Sequence, residues 1–398
     1  MLDTIRVGKP EICIVYGKAR LTVQLQGCSV DSLFFEVNEE YKEYLCTEDS
    51  DAFLLMLMEY AQLHSKNIQF EGPISAALID YVNEYYIPLL SQNMSQYAQI
   101  RVIAKACEAK KKYCGQAVGT GFSAGVDSFY TIYKQLETPF ESLRLTHVLF
   151  ANVGAQTYEY ADSCKIFDEK SKRLQNIITQ VDDKINFIEV NTNCLELYSD
   201  LIGKGFTGPD ARKTCSCVVA LKKLFSVYYF SNGPTLDRFS FSSKDPAHFD
   251  LFTIEMLNHS GIRFYLRGIE TPKRIDKVKY ISDKKTAQNN LSVCINKNCG
   301  ICEKCIRTEL ELFAIQKLDA FETVFDLVFF KKNMVKLTAK YLAISEEHQL
   351  GFVKEIETEA RKNGVKLPRM AYVRSFFVDH PIYIAKKEIK KILRRRGL

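Results

Sequence analysis

Gly119-Thr-Gly-Phe-Ser-Ala-Gly-Val-Asp-Ser128 joins an apolar segment that reads as a strand (residues 116–122) to one that reads as a helix (residues 128–136). A glycine-rich turn from strand to helix aims backbone N–H groups and the positive end of a helix dipole at an anion, so the turn is expected to hold phosphate. Three patterns compete for it. GxxxxGK[ST] finds Gly119 and Gly125, but Val126 stands where the phosphate-binding lysine must be. The dinucleotide fingerprint GxGxx[GA] is met by Gly119, Gly121 and Ala124, yet the next strand ends Phe150-Ala-Asn-Val153 without the acid that would hold a ribose. The third pattern is Ser123, Ala124, Gly125, Val126, Asp127 and Ser128. In it Gly125 supplies a backbone conformation closed to other residues, and the hydroxyls of Ser123 and Ser128 add donors without bulk. A helix beginning near Ser128 presents its dipole, and Asp127 holds Mg²⁺ against the phosphates or caps the helix. Lacking a lysine, this turn suits a pyrophosphate that leaves as a unit. A purely structural turn is the plain alternative.

Outward from the turn the chain alternates. Strand-like runs at 147–154, 185–193, 238–243 and 262–267 are interleaved with helical runs at 160–181 and 218–230. Near-continuous apolar strands separated by helices predict an α/β fold with a parallel, doubly wound sheet and ligands at the carboxyl ends of its strands. Residues 1–108 read as strands followed by helices, an α+β domain of its own. Residues 109–308 form the nucleotide domain and residues 309–398 a helical extension ending in a basic tail. That tail, with Lys386, Lys387, Lys390, Lys391, Arg394, Arg395 and Arg396, reads either as a nucleic-acid contact or as a solvated helix.

The chain has 398 residues, 46% of them apolar and 26% charged, a balance that supports a cored protein of two or three domains. No apolar run approaches the ~20 residues that cross a bilayer, so no membrane partner is expected. The N-terminal segment lacks the pattern of a signal peptide, which points to the cytoplasm. In that compartment thirteen cysteines are thiols or metal ligands. Cys294, Cys299, Cys302 and Cys305 are crowded together, with Gly300 letting the backbone turn around an ion. A closed Cys₄ set is the structural zinc pattern. Iron–sulfur spacings fail at the last ligand: no cysteine follows Cys305, and Glu309 stands where a bacterial cluster needs its next one.

At residues 123–128 the chain resembles the PP-loop ATP pyrophosphatases, whose turn reads SGG-x-D-S/T, with Ala124 replacing the first glycine. The turn and the cysteine set together resemble 7-cyano-7-deazaguanine synthases over roughly residues 116–310. The flanking regions look more like enlarged relatives from bacterial gene islands, some of them in phage defence. The resemblance implies ATP, Mg²⁺ and Zn²⁺ as cofactors, Asn152 near the nucleoside, and Lys277, which leads a helix before the cysteines, on phosphate or substrate. The loop at 203–214 is glycine-rich and basic, and Arg212 and Lys213 are expected to neutralise phosphate charge as it closes. Alternatively, it is a plain connection.

The expected reaction splits ATP into AMP and pyrophosphate. AMP is placed on a carboxylate or amide oxygen and a nitrogen nucleophile displaces it. The acceptor is a small molecule, a deazapurine for example, or a protein or peptide, and proteins encoded alongside are candidate partners. Two alternatives stay open. One is thiolation of a tRNA base, which needs a reactive cysteine such as Cys215 or Cys217 near a helix start. The other is a non-catalytic nucleotide-binding scaffold.

Overall fold

The computed structural model describes residues 2–107, 115–155, 157, 159–202, 210–241, 246–271, 273–294, 297–347 and 351–395. The chain divides into two compact units: Met1–Ser123 with Thr131–Glu270, and Ala124–Tyr130 with Thr271–Leu398.

The first unit holds the strands: β1 (Thr4–Val7), β2 (Glu11–Val15), β3 (Lys18–Gln26), β4 (Ser32–Asn38), β5 (Asn67–Phe70), β6 (Ile74–Ser75), β7 (Val102–Ile103), β8 (Ala106–Cys107), β9 (Ala117–Gly121), β10 (His147–Asn152), β11 (Asn186–Thr192), β12 (Phe225–Ser231) and β13 (Arg263–Arg267). One large sheet runs β13-β12-β9-β10-β11-β4-β3-β1-β5-β7, with β2 on β3, and β6 pairs separately with β8. From β13 through β11 all neighbours are parallel. The expected α/β architecture with a large, mostly parallel sheet is therefore present. The chain moves from β9 out to β10 and β11, then returns to the other side of β9 for β12 and β13. Strand order reverses between β9 and β12, and a doubly wound sheet opens its ligand crevice at the carboxyl ends of two such strands. The glycine-rich turn leaves the carboxyl end of β9. Gly119 lets β9 approach β12, because a Cβ there would lie 2.5 Å from the Phe225 ring and 2.9 Å from Tyr228.

Apart from the short β6–β8 pair, the strands of residues 1–107 do not build a sheet of their own. β4 pairs antiparallel with β11, setting Glu36 opposite Asn191 and Phe35 opposite Thr192, so the N-terminal strands extend the central sheet. The helix Asp51–Leu63 is apolar almost all round and buried on nearly every residue, as a helix covered on all sides must be. It packs against the helix Ala211–Ala220. A boundary at 108 followed from the change in sequence texture, which carries no information about strand pairing.

Two further expectations change. The helix expected over 218–230 is the end of the helix Ala211–Ala220 followed by β12, whose aromatic and β-branched residues suit a buried strand. The strand expected over 238–243 is absent from its described part, where Leu236–Arg238 forms a 3₁₀ turn; residues 242–243 lie outside the described residues.

The second unit is helical, with Arg274–Ser282, Lys285–Asn290, Glu303–Ala314, Leu327–Glu347, Phe352–Lys362 and His380–Arg395 as its main segments. An expected boundary at 308 falls inside Glu303–Ala314, so the cysteines and the C-terminal helices share one unit. Among the described residues no helix is long and apolar enough to cross a membrane.

Candidate functional site

The helix after the turn starts at Val126, two residues earlier than expected. Ala124, not Gly125, takes the left-handed backbone, with φ +58°. An alanine there costs about 1 kcal/mol more than glycine, the physical reason a turn of this shape favours glycine at that place. The Ala124 carbonyl accepts the Ser292 N–H at 2.8 Å, tying the turn to the segment just before the cysteines. The Ser128 hydroxyl donates to the Gly125 carbonyl at 3.1 Å, and Ser123 is exposed.

Asp127 sits in the first helical turn. The Lys277 ammonium donates to it at 2.9 Å and the Arg274 guanidinium approaches its second oxygen at 3.5 Å. Lys277 is wholly buried, whereas the Asp127 side chain keeps 29% of its exposure. Burial alone would raise its pKa, but Lys277 and Arg274 hold the carboxyl below its ordinary value. Arg274 was not singled out in the sequence, although its i,i+3 spacing to Lys277 on Arg274–Ser282 puts both on one helix face. Arg274 is also suspended between carboxylates: its Nε lies 3.4 Å from Glu311, a buried residue whose pKa burial raises. The Nε atoms of Arg274 and Arg307, both Glu311 oxygens and the Tyr341 hydroxyl are buried without a hydrogen-bond partner. Asp127 fits Mg²⁺ as a hard, accessible oxygen donor.

Cys294, Cys299, Cys302 and Cys305 place their sulfurs within 4.8 Å of one another. Three sulfur pairs, Cys294–Cys299, Cys299–Cys305 and Cys302–Cys294, measure 3.9 to 4.0 Å. A tetrahedral zinc with bonds of about 2.3 Å sets sulfurs about 3.8 Å apart, so the cluster fits it and is far too open for a disulfide. Gly300 has φ +67°, which turns the knuckle, and the N–H of Cys302 points at the Cys299 sulfur at 3.3 Å. Although burial works the other way, backbone N–H groups of Ile301 and Cys302 lower the Cys299 thiol to about 7. The quartet can therefore hold a zinc ion.

The remaining expectations are corrected or limited. Arg212 and Lys213 are buried, not poised over phosphate. Arg212 Nε donates to Asp210 at 3.0 Å, and Lys213 is ion-paired with Glu59 and Asp210. Burial works against Asp210, yet Arg212 and Lys213 hold its carboxyl well below the ordinary range. Their partner Glu59 lies some 150 residues earlier, beyond the reach of any local pattern. Residues 203–209 of the expected closing loop lie outside the described residues. Replacing Lys213 with methionine is expected to cost about 3–5 kcal/mol, because it strands a buried carboxylate. Denaturant midpoints measure this, and a midpoint unchanged from the parent would remove the pair from the fold's stability.

Asn152 is buried, with its amide donating to Asn191 at 2.9 Å and its carbonyl accepting from Ser163 at 2.6 Å. It braces β10 against β11 and the helix Tyr160–Val181, so its side chain is not presented to a nucleoside. Cys215 and Cys217 are fully buried and burial pushes both thiols well up, the reverse of a reactive thiolate. Comparison with protein-family models, curated proteins and solved structures returns no match.

Proposed function

We propose that the chain is an ATP pyrophosphatase of PP-loop type, which adenylates a carboxylate or amide oxygen so that a nitrogen nucleophile can displace AMP. The observation that carries this reading is Asp127, held by Lys277 and Arg274 in the first turn of the helix that follows the turn. Acceptor oxygen attacks the α-phosphorus, the bond to the bridging oxygen breaks, and pyrophosphate leaves. The N–H groups of the helix start cradle the phosphates, and Lys277 and Arg274 neutralise charge growing on the leaving group. Asp127 would hold Mg²⁺, which when bound supplies further neutralisation of the phosphates. The cysteine quartet would hold Zn²⁺ as a structural ion, closed to substrate. Buried Cys215 and Cys217 leave base thiolation without its sulfur carrier among the candidates named.

Incubating the full chain with α-labelled ATP, Mg²⁺ and cell extract tests the reading. AMP and pyrophosphate should form in equal amounts, with a new AMP-dependent adduct visible by mass spectrometry. Formation of ADP and orthophosphate, or tight ATP binding without turnover in any extract fraction, would overturn it.

A further inference from the structure

The segment from Arg369 to Arg395 runs as the helix Arg369–Arg374, a π-turn at Ser375–Asp379 and the helix His380–Arg395. Met370, Val373, Phe376, Phe377, Ile382 and Ile389 are exposed along it, Phe376 by 70% and Phe377 by 71%. In an unbroken α-helix Ile382 and Ile389 would point roughly 100–140° away from Met370 and Phe377. The extra residue of the π-turn takes up that offset, bringing Met370, Val373, Phe377, Ile382 and Ile389 onto one face. The Arg374–Asp379 ion pair, at 2.9 Å, spans the π-turn. An apolar stripe about 28 Å long results, while Ala371 and Ser375 on another face are buried.

Charge is concentrated on the same segment. Seven Lys and Arg and one Glu lie between His380 and Leu398, so this stretch alone equals the whole chain's formal net charge of +6. Two copies of the stripe packed together would bring two such charges side by side, which disfavours self-association. A nucleic acid would answer the charge but offer nothing to the aliphatic side chains. An anionic bilayer answers both, taking the apolar stripe at the acyl boundary and Lys and Arg at the headgroup phosphates. We propose that residues 369–395 bind the surface of an anionic lipid bilayer, lying on it without crossing it. This goes against the expectation of no membrane partner. This inference is independent of the ATP reading.

The test is co-sedimentation of the full chain with vesicles of phosphatidylcholine alone and of phosphatidylcholine with phosphatidylglycerol. Binding is expected to the anionic vesicles, to weaken with salt, and to fall at least tenfold in Phe376→Ser/Phe377→Ser and in Lys386→Glu/Lys387→Glu. All four side chains are exposed, and circular dichroism checks that each variant is folded. No binding to anionic vesicles, or binding indifferent to the phenylalanines, overturns the proposal. So does a dimer that dissociates in the phenylalanine variant, which would assign the stripe to a second copy. Retention on a polynucleotide column, lost in the lysine variant alone and without vesicle binding, would assign the charge to nucleic acid.

Discussion

Replacing Cys305 with serine is expected to unfold the helical unit or to lower its melting temperature by roughly 10 °C or more. Cys305 is fully buried in the first turns of Glu303–Ala314, and Cys302 caps that same helix, accepting the Cys305 N–H. Ligand loss therefore removes the fastening of a helix that also carries Arg307 and Glu311. Structural zinc contributes on the order of 10 kcal/mol to the folding of small domains, more than the stability of most proteins. A strong chelator should reproduce the effect in the unaltered chain, and acidification should release the ion, because only thiolates bind it. Elemental analysis and thermal melts measure this. A chain that purifies without zinc, or a Cys305→Ser variant that melts with the parent, would remove the metal from the fold.

Replacing Asp127 with asparagine is expected to slow pyrophosphate release at least ~100-fold, the scale of losing one preorganised charge contact. Lys277→Met should cost a comparable factor, and Arg274→Met a measurable part of it, since both cations meet the same carboxylate. The pH behaviour follows from the depressed Asp127 carboxyl. Its ion pairing is fully present above the ordinary carboxylate value near ~4 and is lost only as pH falls through the lower folded value. An acid limb in the rate between pH ~5 and ~7 must then belong to another group, and Asp127→Asn should leave such a limb in place. Quantifying pyrophosphate across pH in parent and variants checks both points. Unchanged release in Asp127→Asn would end the assignment of this carboxylate to phosphate chemistry.

Legibility differed with the range of the interactions. Sequence pattern places the helix at 160–181 with its observed ends and β9, β10 and β11 close to theirs, because hydrophobic period and turn residues act over a few neighbours. The left-handed residue of the turn was misplaced by one, since both Ala124 and Gly125 are small and only the backbone decides between them. Arg212 and Lys213 looked like phosphate ligands because a basic pair beside glycines has the same composition whether it faces solvent or Glu59 and Asp210.

By itself the sequence determined what local chemistry can determine: strand–helix alternation, a small-residue turn ending in Asp127, and four thiols spaced for one ion. Tertiary structure alone decided which charges meet. It brought Lys277 and Arg274 to a carboxylate some 150 residues earlier, and sent Arg212 and Lys213 to Glu59 instead of to phosphate. It also joined β4 to β11, extending the sheet with residues that read as a domain apart. The reason is physical: backbone patterns are set by near neighbours, whereas a buried charge is stable only where the fold supplies its partner.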